Sequence, residues 1–202
     1  MYAIVTNNKI TKIITNPKSL VIGDVRYPAK IFSIWSQSEL NGIGIYEVIT
    51  DSSNLKDEKW YINTNESYAF GSGKVTRSWG TATAKAHADT LFTAQDETDG
   101  LGTEGDVKVE GLKTQLIRTI KQQAAGILQD TDWYIVRKAD AGTAVPSAVT
   151  THRAAVRTKA ASMETAITDA ADTPALETLY TYTEQEDGST TRPLGEFPKL
   201  ES

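Results

Sequence analysis

The chain of 202 residues contains no cysteine. That excludes a disulfide framework, a thiol nucleophile and a thiolate metal site. Histidine is nearly absent, with only His87 and His152, so a histidine-rich metal site is excluded as well. No apolar run approaches the ~18 residues of a membrane span, so no membrane partner is expected. The N-terminal stretch MYAIVTNNKIT lacks the charged-then-apolar layout of a signal peptide. The phosphate-loop, dinucleotide, nucleophile-elbow and zincin motifs are missing too. Gly71-Ser72-Gly73-Lys74 comes nearest to a phosphate loop, but its neighbours read as a hairpin. Carboxylates are too numerous for Asp169 or Glu177 to mark glycoside chemistry. His152 beside Arg153 reads as an exposed or ion-paired helical histidine rather than a general base. No catalytic residue, cofactor or metal site is expected, and the chain reads as a non-enzyme.

What is present is modest and unevenly charged. Hydrophobic residues make up 39% of the chain, enough for a small core or for one completed by a partner. Residues 1–85 hold 10 Lys+Arg against 7 Asp+Glu, and residues 86–202 hold 11 against 19. An acidic second half argues against nucleic acid as a partner.

Short alternating runs dominate the first part. Tyr2–Val5 and Ile10–Ile14 flank Thr6-Asn7-Asn8-Lys9, and Asn tolerates the left-handed conformation of a tight hairpin. Gly23-Asp24 predicts a second turn. Ser36-Gln37-Ser38-Glu39 has capping-box spacing and predicts one short helix closed by Gly42. Ile43–Ile49 follows as a strand, Trp60-Tyr61-Ile62 as a brief one, and Ser67–Phe70 and Lys74–Trp79 flank the Gly71-Ser72-Gly73 turn. The aromatics of this part, Trp35 among them, read as core and rim.

The segment 85–107 is rich in Asp, Thr and Gly and reads as a linker or extended arm. Asp96, Glu97 and Asp99 lack the alternating ligands and closing Glu of a calcium loop. A helix is predicted from about Val109 to Val136. Its apolar positions Leu112, Leu116, Ile117, Ile120, Ala124, Ile127 and Leu128 step at helical spacing, with Trp133 as the last bulky anchor. If that indole is buried, Trp133→Ala costs roughly 3–5 kcal/mol. Gly126 interrupts this helix and permits close packing. Asp140-Ala141-Gly142 is turn chemistry. Pro146 fits the first turn of a second helix reaching Ala171, with Val149, Ala155 or Val156, Met163 and Ile167 on one face. Arg153 and Arg157 share a side of that helix. They either form surface ion pairs with Asp130, Asp132 or Asp140, or grip a partner's carboxylates. Asp172-Thr173-Pro174 restarts a helix, and Asp187-Gly188 marks a hairpin. The tail RPLGEFPKLES is expected to dock through Leu194 and Phe197.

The expected fold class is therefore α+β. A small N-terminal antiparallel β domain with a short helix covers 1–84 and a linker or extended arm covers 85–107. A C-terminal α-helical hairpin region, with a short β-hairpin and an extended tail, covers 108–202.

Three stretches carry a resemblance. TDWYIVRKADAGTAVPSAVTTHRAAVR resembles a pattern in small tailed-bacteriophage proteins, matched here by Asp132, Trp133, Arg137, Pro146, Arg153 and Arg157. YPAKIFSIWSQSELNGIGIYEV resembles a second phage pattern through Trp35, Leu40 and Gly44. DGSTTRPLGEFPKLE is similar to short proteins of marine phages, including cyanophages. The resemblance implies a tail-associated or tail-fibre-assembly protein. The expectation that follows is a virion structural protein of the tail or baseplate, an adaptor for other tail or fibre proteins and a homo-oligomer. The alternatives are a tail-fibre assembly chaperone not retained in the virion and, third, a host-interaction module. Trp133, Arg137, Arg153, Arg157 and Trp35 are the candidate partner-binding residues.

Overall fold

The computed structural model describes residues 1–200. Glu201 and Ser202, the end of the resembling tail stretch and of the expected third segment, lie outside the described residues. The chain divides into two compact units, Met1–Thr83 and Ala84–Ser202.

The first unit contains β1 (Tyr2–Thr6), β2 (Lys9–Ile14), β3 (Leu20–Ile22), β4 (Val25–Tyr27), α1 (Ile31–Ile34), α2 (Gln37–Gly42), β5 (Ile45–Thr50), β6 (Tyr61–Ile62), β7 (Ser67–Gly71) and β8 (Lys74–Ser78), and β9 (Thr83–Ala84) begins at its boundary. Local chemistry explains its turns. Asn7 and Asn8 both take positive φ between β1 and β2, and Ser72 and Gly73 do so between β7 and β8. These are the left-handed pairs that match strand twist in two-residue hairpins. The Ser36 hydroxyl accepts from Glu39 N and the Glu39 carboxylate accepts from Ser36 N, so the capping box of α2 is complete.

The main sheet has the order β2-β1-β5-β8-β7. It is antiparallel except at one place, where β5 and β8 pair in parallel, with Val48 opposite Val75. The long connection from Thr50 to Lys74 allows that crossover, and no sequence pattern announces it. The edge strands β2 and β7 approach one another, so the sheet curls. Ala3, Val5 and Val75 fill one face with Tyr46, Val48 and Phe70 against them. Ile31, Leu40 and Ile45 form the other cluster. Gly44 has φ +81°, and a Cβ there would meet Val5 O at 2.7 Å, so the helix-to-strand junction requires glycine.

The second unit contains β10 (Thr90–Leu91), α3 (Ala94–Thr98), β11 (Val107–Val109), α4 (Leu112–Gln129), α5 (Asp132–Ala141), α6 (Ser147–Asp169), α7 (Thr173–Tyr180), β12 (Thr183–Glu184) and β13 (Thr190–Thr191). The segment 85–107 is thus no linker. It holds the β10–β11 pair and α3, the latter capped by a Thr93/Asp96 box. Backbone bonds tie it to α4, from Leu112 N to Ala86 O at 3.0 Å and from Lys113 N to His87 O at 3.0 Å. Asp89 completes the junction by accepting from Gly111 N and Thr114 Oγ1, each at 2.7 Å. Its few large apolar residues, none of them buried, disguised this order, which rests on polar caps.

The helix expected over 109–136 is two helices. α4 buries Leu112, Leu116, Ile120 and Ala124, one residue per turn. α6 buries Val149, Val156, Ala160, Met163 and Ile167 against it. The two run antiparallel, since Arg153 near the start of α6 reaches Leu128 O near the end of α4. At the other end Lys113 Nζ donates to Thr168 O at 2.7 Å. Each helix thus places a cation at the other's C-terminal carbonyls, where the backbone dipoles favour positive charge. Pro146 is the N-cap of α6 rather than its first helical residue. Asp172 caps α7 by accepting from Ala175 N, with Pro174 in the first turn. Leu194 is buried and its N–H donates to Leu179 O, so the tail docks there. Among the described residues no helix is long and apolar enough to cross a membrane.

Candidate functional site

The corner between α4, α5 and α6 gathers four of the five candidate residues. α4 stops at Gln129. Thr131 then donates to Leu128 O through both its N–H, at 3.1 Å, and its hydroxyl, at 3.0 Å. Arg153 Nη1 donates to the same Leu128 O and to Thr131 Oγ1, each at 2.7 Å. Its Nη2 lies 2.8 Å from Asp132 Oδ1 at the first position of α5. A planar fork suits three acceptors spread across a helix break, where an ammonium would not. Arg153 is 7% exposed. Of the two expected roles, the ion pair with Asp132 is present, though on a buried arginine, and the alternative of gripping a partner's carboxylates is corrected, because both terminal nitrogens already bond inside the unit. Arg157 is exposed on the same helix, and its Nη1 lies 3.5 Å from Arg153 O.

The clamp sets how α5 leaves the corner. α5 buries none of its ten residues. Trp133 is 51% exposed, which corrects its expected place as a core anchor. The break at Asp130-Thr131 turns the indole away from the apolar stripe of α4. Ile135 and Val136 are exposed as well. Trp133 and Tyr134 stack with ring centres 3.8 Å apart, and the Arg137 guanidinium sits 4.8 Å from the Trp133 ring centre. That stack fixes the two aromatics and leaves the buried Arg137 Nε without a hydrogen-bond partner. Gly142 ends the helix in the left-handed conformation, its N–H donating to Lys138 O. Trp35 belongs to the first unit. There it meets Tyr27 edge-on, ring centres 5.9 Å apart, beside the Ile31–Leu40–Ile45 cluster.

Sequence reasoning missed the neighbouring cleft of about 930 Å³ lined by Asp130, Thr131, His152, Arg192, Glu196 and Phe197. His152 is 8% exposed, not the surface histidine expected, and its Nδ1 has no partner. Steps of three and four from Val149 to Val156 place it on the buried face, a signal the sequence did carry. Arg192 pairs with Glu196 at 2.8 Å. Among the described residues no group of three or more His, Cys, Asp or Glu could hold a metal ion. Tyr180 is half-buried in this unit, and that burial pushes its hydroxyl above the usual tyrosine range.

What the corner can do is present a rigid apolar and aromatic surface. Comparisons with family models, with curated proteins and with solved structures return no match to this chain.

Proposed function

We propose that this chain is a virion structural protein of a bacteriophage tail or baseplate, an adaptor or attachment module for other tail or fibre proteins. The observation that carries this reading is α5, a helix without a buried residue that exposes Trp133, Ile135 and Val136. Apolar residues around more than one side of a helix belong against something. A tryptophan backed by a stacked arginine is the residue chemistry of an interface hot spot. The α-helical hairpin of α4 and α6 serves as the frame, and the Arg153 clamp holds α5 at a fixed angle to it. The protein acts in the particle as a homo-oligomer and performs no catalysis. The phage-like stretch spanning Asp132 to Arg157 covers this corner and supports the same reading.

Mass spectrometry of gradient-purified particles tests it, with stoichiometry against the major capsid protein. Presence at a fixed multiple of three or six is the expected result. Absence from particles, with abundance in infected lysate, overturns it in favour of a tail-fibre assembly chaperone.

A further inference from the structure

We propose that the cleft between β2 and the β3–β4 hairpin binds the acidic β12–β13 hairpin of a second copy of this chain. The cleft has a volume of about 640 Å³ and is lined by Lys12, Lys18 and Arg26 together with Thr15, Asn16 and Leu20. No carboxylate lines it. All three cations are exposed, and among the described residues none forms an ion pair. Three like charges around one concavity raise its potential and favour an anionic guest. The β3–β4 hairpin beside them leaves Val21 and Val25 exposed at 61% and 53%, so the guest also meets apolar surface.

The complementary shape lies on the second unit. Every residue from Thr181 to Thr191 is exposed. The hairpin is therefore open to solvent along its length, held at its base by the Tyr182 hydroxyl donating to Glu196 at 2.6 Å, and it carries Glu184, Glu186 and Asp187. Asp187 rigidifies the tip by accepting from Ser189 N at 2.9 Å and Ser189 Oγ at 2.6 Å. Those bonds hold its carboxyl below the usual carboxylate range, so it stays anionic. Glu184 and Glu186 form no ion pair among the described residues. A two-stranded tip is about 5 Å between strands, slim enough to enter such a cleft. Guanidinium and ammonium groups would then meet carboxylates in charge-assisted bonds.

One chain carries both halves of this contact, the basic cleft in the first unit and the acidic finger in the second. The joint between copies is therefore head-to-tail, and it closes into a ring or propagates as a filament. The inference rests on the self-association in the proposed function but uses a surface other than α5. It is read by hydrodynamics rather than by particle composition, so the two fail separately.

Sedimentation velocity of the full chain tests it, from low ionic strength to about 0.5 M salt, where exposed charge pairs are screened. Wild type is expected to associate in low salt and to dissociate as salt rises. Lys12→Gln/Arg26→Gln and Glu184→Gln/Glu186→Gln, which remove charge without reversing it, should each weaken association about tenfold or more. Mixing the two variants should give a one-to-one heterodimer that grows no further, because one supplies the intact cleft and the other the intact finger. That recovery also shows that both variants are folded. A wild-type chain that stays monomeric in low salt overturns the proposal, even if its cleft retains heparin or a single-stranded oligonucleotide. So does association that neither variant disturbs, or a mixture that forms no heterodimer.

Discussion

Arg153 and Thr131 are buried together, the guanidinium Nη1 donating to the hydroxyl at 2.7 Å where two helices break. Removing the fork takes the charged donor from both Leu128 O and the Thr131 hydroxyl, which keep only the weaker bonds within the 128–131 turn. Arg153→Ala should therefore cost about 2–4 kcal/mol in urea unfolding, between a lost charged hydrogen bond and a broken buried network. Arg153→Lys should recover little, since one ammonium cannot span three acceptors. Asp132→Asn should cost under about 1 kcal/mol, because that carboxylate is 55% exposed. Equal losses for Arg153→Ala and Asp132→Asn would show that the surface ion pair, not the buried fork, holds the corner.

Trp133→Ala should leave the thermal transition nearly unchanged, within about 1 kcal/mol, as an exposed substitution does. The same variant should lose incorporation into particles, because the indole is half free for a partner. Incorporation at the wild-type level, scored by mass spectrometry, would remove α5 from the interface.

Two glycines of the second unit should respond in opposite directions to alanine. A Cβ at Gly111 would meet the Ala88 carbonyl carbon and oxygen at 2.3 Å, backbone that cannot step aside. Gly111→Ala should destabilise by roughly 1–3 kcal/mol or more. Gly126 is exposed inside α4 with nothing within 4 Å of a Cβ. It does not serve close helix packing, and Gly126→Ala should stabilise by up to about 1 kcal/mol. Differential scanning calorimetry of the pair checks both signs.

Acid should loosen the β10–α3–β11 region in a defined window. Lys108 Nζ bonds the Asp96 carboxylate at 2.6 Å, Thr93 donates to it as well, and together they hold its pKa at about 2 instead of 3.8. A carboxylate depressed on folding stabilises the native state above its unfolded pKa and loses that contribution as pH falls through the folded one. The loss therefore falls between about 3.8 and 2. Melting temperatures from pH 5 to 2 should drop less in Asp96→Asn than in wild type. Parallel profiles would remove Asp96 from the acid response.

Much of the local structure was legible because it follows from residue identity. Asn7-Asn8, Ser72-Gly73 and Gly142 take the left-handed conformations their chemistry permits, and the Ser36/Glu39 and Asp172 caps form as spaced. The break at Asp130-Thr131 was not legible, because Ile135 and Val136 prolong the apolar character without prolonging the stripe. Nor was the clamp: the partners of Arg153 include a backbone carbonyl, which no sequence pattern displays. The order in 85–107 was hidden for the same reason, since Asp89 caps a backbone N–H 22 positions away. Four of the five candidate residues share one corner, but sequence reasoning assigned Arg153 and Trp133 each other's setting, the arginine outside and the indole inside.

The exchange of cations between α4 and α6 constrains how relatives of this chain can vary in length. Lys113 and Leu128 on one helix are separated by the same number of residues as Arg153 and Thr168 on the other. An inserted turn in α4 alone would carry one pinned end ~5.4 Å past its mate. Insertions and deletions in this region should therefore occur as matched pairs, one in each helix. A lone change should fall in 142–146, between α5 and α6, where neither pin is disturbed.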